Sequence, residues 1–133
     1  MTVFSDDNKR IVDIGSESTL FSVYSTVIVL LKRNRLIGDA VEFLKTGRCG
    51  SDNALNVARQ VNLIRDNLAK FSPDSAVWDC RDRTKIPPWN GNLSPVVTSC
   101  ANLYTTADGK DLLFELVSIL TYAGVTRQSV YAL

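Results

Sequence analysis

The chain has 133 residues, 45% of them hydrophobic, with fifteen basic side chains against fourteen acidic ones and no histidine. That length supports one domain with a core of its own rather than two, and a net charge of +1 leaves no footprint for nucleic acid or an anionic membrane. The lack of histidine excludes Ser–His triads, imidazole bases and nearly all zinc catalysis.

Met1 to Arg10 carries Asp6 and Asp7 ahead of Lys9 and Arg10, with no apolar run, and does not read as a signal peptide. Arg10 to Ile14 reads as a short strand with Val12 and Ile14 on one face. After Gly15-Ser16 a helix is expected from an N-cap at Ser18, through Leu20, Phe21, Tyr24, Val27, Ile28 and Leu31, ending in the basic run Lys32-Arg33-Asn34-Arg35. Its apolar stretch, interrupted by Ser22, Ser25 and Thr26, falls short of the ~20 residues that cross a bilayer. A second helix spans Gly38 to Lys45 and closes at Gly47, and Gly47-Arg48-Cys49-Gly50 reads as a turn between helices. Ser51 or Asp52 then caps a longer helix with Ala54, Val57, Val61, Ile64 and Leu68 inward and Arg59, Asn62 and Asp66 in water. Ser72-Pro73 ends it.

Beyond Ser75 the pattern changes. Val77, Trp78 and Cys80 suggest a strand, Pro87-Pro88-Trp89-Asn90-Gly91 an ordered loop, and Ser94-Pro95 the start of a short helix reaching Cys100. Leu103 to Thr106 is extended. Asp108, with Asp111 three residues on, is expected to cap a last helix lined by Leu112, Leu113, Leu116, Val117, Leu120 and Ala123 and stopped by Gly124. A final strand runs through Val130 and Tyr131. These elements define a single α+β domain over residues 1–133, with three or four helices packed on a small, mainly antiparallel sheet.

The chemical inventory is thin. Cys49, Cys80 and Cys100 are odd in number and never in C-x-x-C spacing, which fits buried apolar thiols in a reducing cytoplasm rather than a disulfide frame or zinc ribbon. Asp108, Asp111 and Glu115 fall three and four apart, so paired-carboxylate hydrolysis or nuclease chemistry is one reading. Helix capping by the two aspartates is the simpler one. Lys32 to Arg35 has no interleaved aromatic residue and reads as a solvated helix end. The segment Asp79-Cys80-Arg81-Asp82-Arg83-Thr84-Lys85 alternates charge and leads into Ile86-Pro87-Pro88-Trp89, a combination suited to protein recognition. The competing reading packs Trp89 back onto the domain, with the prolines stiffening the loop.

Three blocks resemble one family. Gly15 to Thr26 (GSESTLFSVYST), Val77-Trp78-Asp79 with Pro87-Pro88-Trp89, and Tyr104 to Leu112 (YTTADGKDL) are similar in order and spacing to the immunity protein 70 family. That resemblance implies a non-catalytic cytoplasmic inhibitor from bacterial polymorphic toxin systems, including contact-dependent growth inhibition. It would bind the C-terminal toxin domain one-to-one, with no cofactor, metal, membrane or nucleic-acid partner. The expected contact surface is Asp79 to Asn90: Trp89 as anchor, with Asp79, Asp82, Arg83, Lys85 and Asn90 around it. Inhibitors of basic nucleases often carry an acidic face, for which Asp79, Asp82, Asp108, Asp111 and Glu115 are the candidates.

Overall fold

The computed structural model describes residues 1–32 and 34–133. β1 (Thr2–Ser5) and β2 (Ile11–Asp13) form an antiparallel hairpin, followed by α1 (Glu17–Leu30) and α2 (Gly38–Thr46). β3 (Arg48–Cys49) leads into α3 (Ala54–Leu68); after a long irregular stretch α4 (Leu112–Thr126) and β4 (Val130–Ala132) complete the chain. The sheet order is β2-β1-β4-β3, antiparallel throughout. This is the expected α+β single domain with four helices and a four-stranded sheet.

The alternation of Val12 and Ile14 holds, both being buried. So does the stripe of α3: Ala54, Val57, Val61, Ile64 and Leu68 are at most 1% exposed, while Arg59, Asn62 and Asp66 face solvent. Gly47 closes α2 in the left-handed region at φ 71°, and a Cβ there would meet Ala132 Cβ at 3.0 Å. The glycine therefore serves both the turn and the close passage of β4. One core cluster joins all four helices to the sheet, with α3 lying along α4. Among the described residues no helix is long and apolar enough to cross a membrane.

Several local expectations change. β1 has no counterpart in the sequence reading; it pairs with both β2 and β4, so the N-terminus becomes an interior strand. Arg48-Cys49 is not a turn but an edge strand, because Tyr131 and Val130 lie opposite it. α1 starts at Glu17, with Ser16 rather than Ser18 at the cap position, and the cap of α3 is Asn53. α1 ends at Leu30, before the basic run, whose Arg33 lies outside the described residues. Asp111, not Asp108, caps α4, its carboxylate accepting from Phe114 N–H at 3.2 Å. Neither the strand at Val77–Cys80 nor the helix after Ser94-Pro95 forms. In the second segment the Asn102 Oδ1 takes the Thr98 and Ser99 N–H groups, and Cys100 N–H donates to Phe71 C=O, so the backbone is bonded across the loop instead of along a helix.

Gly124 does not stop α4. The helix continues to Thr126 and ends on Arg127 at φ 59°. Gly124 instead marks the point where α4 crosses the start of α3, since a Cβ there would lie 2.3 Å from Leu55 Cγ and 3.0 Å from Leu55 N. Gly124→Ala should therefore destabilise the fold by about 1–3 kcal/mol, the cost of overpacking. Leu55→Ala in the same chain should recover part of that loss; urea unfolding of the single and double variants measures both.

Candidate functional site

The segment expected to be a strand is held by side chains of α1. Ser22, Ser25 and Thr26 are fully buried hydroxyls on an otherwise apolar helix. Ser22 Oγ donates to Val77 C=O at 2.8 Å, Val77 N–H donates to Thr26 Oγ1 at 2.9 Å, and Cys80 N–H donates to Ser25 Oγ at 3.0 Å. The Tyr104 hydroxyl lies 2.9 Å from Ser22 Oγ and 2.7 Å from Thr26 Oγ1. One proton arrangement serves every group: Val77 N–H to Thr26, Thr26 to Tyr104, Tyr104 to Ser22, and Ser22 back to Val77 C=O. Both polar groups of Val77 are thus satisfied without a neighbouring strand, as buried backbone requires. Burial pushes the Tyr104 phenol up to about 12, so it remains a neutral donor at any ordinary pH.

The ring of Tyr104 continues the construction outward. Trp89 meets it edge-on at 5.7 Å, and Trp78 meets Trp89 edge-on at 5.5 Å. Trp89 is therefore a half-buried pillar inside the loop, packed back onto the core. The turns around it close through Asn90 N–H to Pro87 C=O at 3.1 Å and Asn92 N–H to Trp89 C=O at 2.8 Å.

Asp79 organises the charged part. Only 6% exposed, it accepts from Arg81 N–H at 2.8 Å, Arg81 Nε at 3.4 Å and Lys85 Nζ at 3.2 Å. The Arg81 backbone N–H foremost, with Lys85 and the Arg81 side chain, holds its carboxyl below the ordinary carboxylate range. Asp82 is also lowered, chiefly by the Thr84 hydroxyl. The Arg81 guanidinium lies 4.4 Å above the Phe21 ring, a cation–π contact that fixes its aliphatic stem against α1. Two grooves flank Lys85. One, of about 410 Å³, runs past Glu17, Phe21, Trp78 and Arg81. The other, of about 270 Å³, lies between Trp78 and the stretch carrying Arg83, Thr84, Ile86 and Asn90.

The structure thus gathers Asp79, Asp82, Arg83, Lys85, Trp89 and Asn90 into one loop, and gives them different depths. Arg83, Lys85 and Asn90 are exposed, Asp82 and Trp89 are half-buried, and Asp79 is inside. Sequence reasoning missed Trp78, Phe21 and Glu17 as groove walls and Ile86 as a 68% exposed apolar side chain at the rim. The spacing of Ser22, Ser25 and Thr26, three and four apart within an apolar helix, is the signal that could have revealed a polar fixture there.

Of the carboxylates further on, two are engaged by other groups. Asp108 is bonded to the Thr106 hydroxyl and faces Lys110 at 3.5 Å, while Asp111 caps α4 and faces Arg65 at 4.0 Å. Among the described residues, no three His, Cys, Asp or Glu side chains are grouped to hold a metal ion. Asp108 and Glu115 line a groove of about 390 Å³ beside β2, which Asp79 and Asp82 do not share. Of the five acidic candidates, Asp108 and Glu115 thus share one groove, while Asp79 and Asp82 belong to the loop. The thiols of Cys49 and Cys100 are buried and pushed up to about 11 by desolvation, and all three cysteines are free.

The most elaborated surface of this α+β domain is thus a braced, charge-bearing loop. A profile of the family described as Immunity protein 70 matches residues 4–131 of the 133-residue chain, and the chain belongs to that family. No curated protein and no solved structure matches it.

Two outcomes test the loop's construction. Tyr104→Phe opens the hydroxyl circuit and should cost about 1–3 kcal/mol, the range for leaving buried polar groups short of a partner, as read by denaturant unfolding. For Asp79, a folded-state pKa depressed below 3.8 means that its contribution is present above that pH and lost as pH falls through the lowered value. The stability difference between the wild type and Asp79→Asn should accordingly narrow between pH 6 and pH 2.5.

Proposed function

We propose that this chain is the immunity partner of a bacterial toxin domain and neutralises it by direct, one-to-one contact in the cytoplasm of the producing cell. The observation that carries this reading is a family match extending from residue 4 to residue 131, nearly the whole domain. Family membership supports the class, and the braced loop supports the choice of surface. The contact surface is the Asp79–Asn90 segment, where Arg83, Lys85, Ile86 and Asn90 face outward over the Trp78–Trp89–Tyr104 stack.

The mechanism is occlusion. A loop whose backbone is fixed from beneath loses little conformational freedom on docking, which favours tight binding. The toxin belongs to a polymorphic or contact-dependent growth inhibition system, with its toxic domain at the C-terminal end of a larger protein. Hydrolysis by Asp108, Asp111 and Glu115 has no comparable support, because the first two are engaged with Thr106, Lys110, Arg65 and the start of α4.

The test is binding of the purified chain to the toxic domain encoded immediately upstream of its gene, paired with growth rescue in the same cells. A stable one-to-one complex with rescue is expected; no complex and no rescue refutes the assignment. Trp89→Ala should weaken the complex by more than ~2 kcal/mol, as removal of a central aromatic support does, while the chain still unfolds cooperatively. Unchanged affinity for that variant would place the contact elsewhere on the domain.

A further inference from the structure

We propose that the outer layer of the Arg81–Lys85 segment is a receptor for carboxylate side chains on the toxin surface, with Arg83 and Lys85 as the receiving groups. This inference rests on the toxin-binding reading above and specifies the partner's chemistry at that site.

The segment sorts its charges by depth. Its acids are already engaged: Asp79 is 6% exposed beneath Arg81 and Lys85, and the half-buried Asp82 is bonded to the Thr84 amide and hydroxyl. Its bases face outward: the Arg81 side chain is 76% exposed, that of Lys85 is 55% exposed, and Arg83 is exposed. Arg83 forms no ion pair among the described residues. Lys85 contacts a single acceptor, Asp79 Oδ2, leaving ammonium protons free, and the Arg81 side chain contacts Asp79 only through Nε, leaving its outer guanidinium donors free.

The groove of about 270 Å³ between these groups and Trp78 is lined by donors from Arg83, Lys85 and Asn90, with Thr84, whose own donors go to Asp82, beside them. The carboxylate on its wall, Asp79, already carries Arg81 and Lys85. Ile86 and Pro87 supply an apolar lip. A space below the roughly 300–1,000 Å³ of small-molecule pockets, rich in donors and edged by apolar surface, fits an aspartate or glutamate side chain with its methylene stem.

Charge summation selects a folded acidic surface over a nucleic-acid strand. Arg81, Arg83 and Lys85 are balanced by Glu17, Asp79 and Asp82, which line the same grooves or the same turn. The field consequently dies away beyond contact range, so the cations attract a carboxylate once docked and do not draw in a polyanion from a distance. The aromatic side chain of the loop is also engaged, because Trp89 is packed edge-on against both Trp78 and Tyr104.

The experiment is a kinetic binding series with the upstream-encoded toxic domain at 50 and 300 mM salt. Arg83→Glu should speed dissociation at least tenfold and Arg83→Gln by less, with a shallow salt dependence, because a desolvated contact pair acts on the dissociation rate. Arg59→Glu, the same charge change on the solvent face of α3, should leave the rates unchanged, and unfolding midpoints verify that all three variants fold. A wild-type complex with unaltered dissociation in Arg83→Glu overturns the carboxylate receptor while the toxin-binding reading stands. No wild-type complex overturns both together. Binding of a labelled single-stranded RNA that Arg83→Glu abolishes, with affinity falling steeply in salt, would assign these cations to phosphates and also overturn the proposal.

Discussion

Val77 places an N–H and a C=O inside the protein with no strand beside it, and the rest of the outer loop depends on how those two groups are satisfied. Three hydroxyls, from Ser22, Thr26 and Tyr104, close a circuit around them. Such circuits are cooperative, each donated proton strengthening the next bond in a medium of low dielectric constant. The same low dielectric makes any gap costly. The loop is consequently pinned at its root to the middle of α1, a helix that is itself buried along Leu20, Val23 and Val27.

From that root the construction passes outward through rings and then charges. Tyr104 uses its hydroxyl in the circuit and its ring against Trp89, so one residue couples the buried network to the aromatic stack. Asp79, two residues beyond Val77, then gathers Arg81 and Lys85. A loop of this kind needs neither strand nor helix. Its rigidity comes from side chains that take the place of a backbone ladder.

The sheet is closed by the two ends of the chain. β4 enters between β1 and β3, with Thr2 and Leu133 exchanging backbone hydrogen bonds at 2.9 Å in both directions. The β1–β2 hairpin is tied to α4 as well, through the Tyr122 hydroxyl donating to Asp7 at 2.6 Å. A hydrogen bond from the Ser5 hydroxyl foremost, and then the one from Tyr122, hold the Asp7 carboxyl down at about 2. The loop thus projects from a frame whose termini are fastened, rather than from one that frays.

Periodicity and turn chemistry determined much of this protein from the sequence alone. The buried stripe of α3, the stop at Gly47, the inward Val12 and Ile14, and the placement of a last strand at Val130 are local consequences of side-chain spacing and backbone sterics, which every tertiary arrangement of the chain must respect. The three family blocks were legible for the same reason, being runs of residues in order. Tertiary structure alone decided the features that depend on residues far apart. Gly124 looked like a helix stop because its neighbour Leu55 is out of sight in the sequence; Arg48-Cys49 looked like a turn because Tyr131 is. Val77 to Cys80 carried the composition of a strand yet formed none, because hydroxyls fifty-odd residues earlier claimed its backbone. The depth of each charge between Asp79 and Lys85 was likewise invisible in their alternation. Which side of the loop faces α1 is set by packing, and packing is a property of the folded chain.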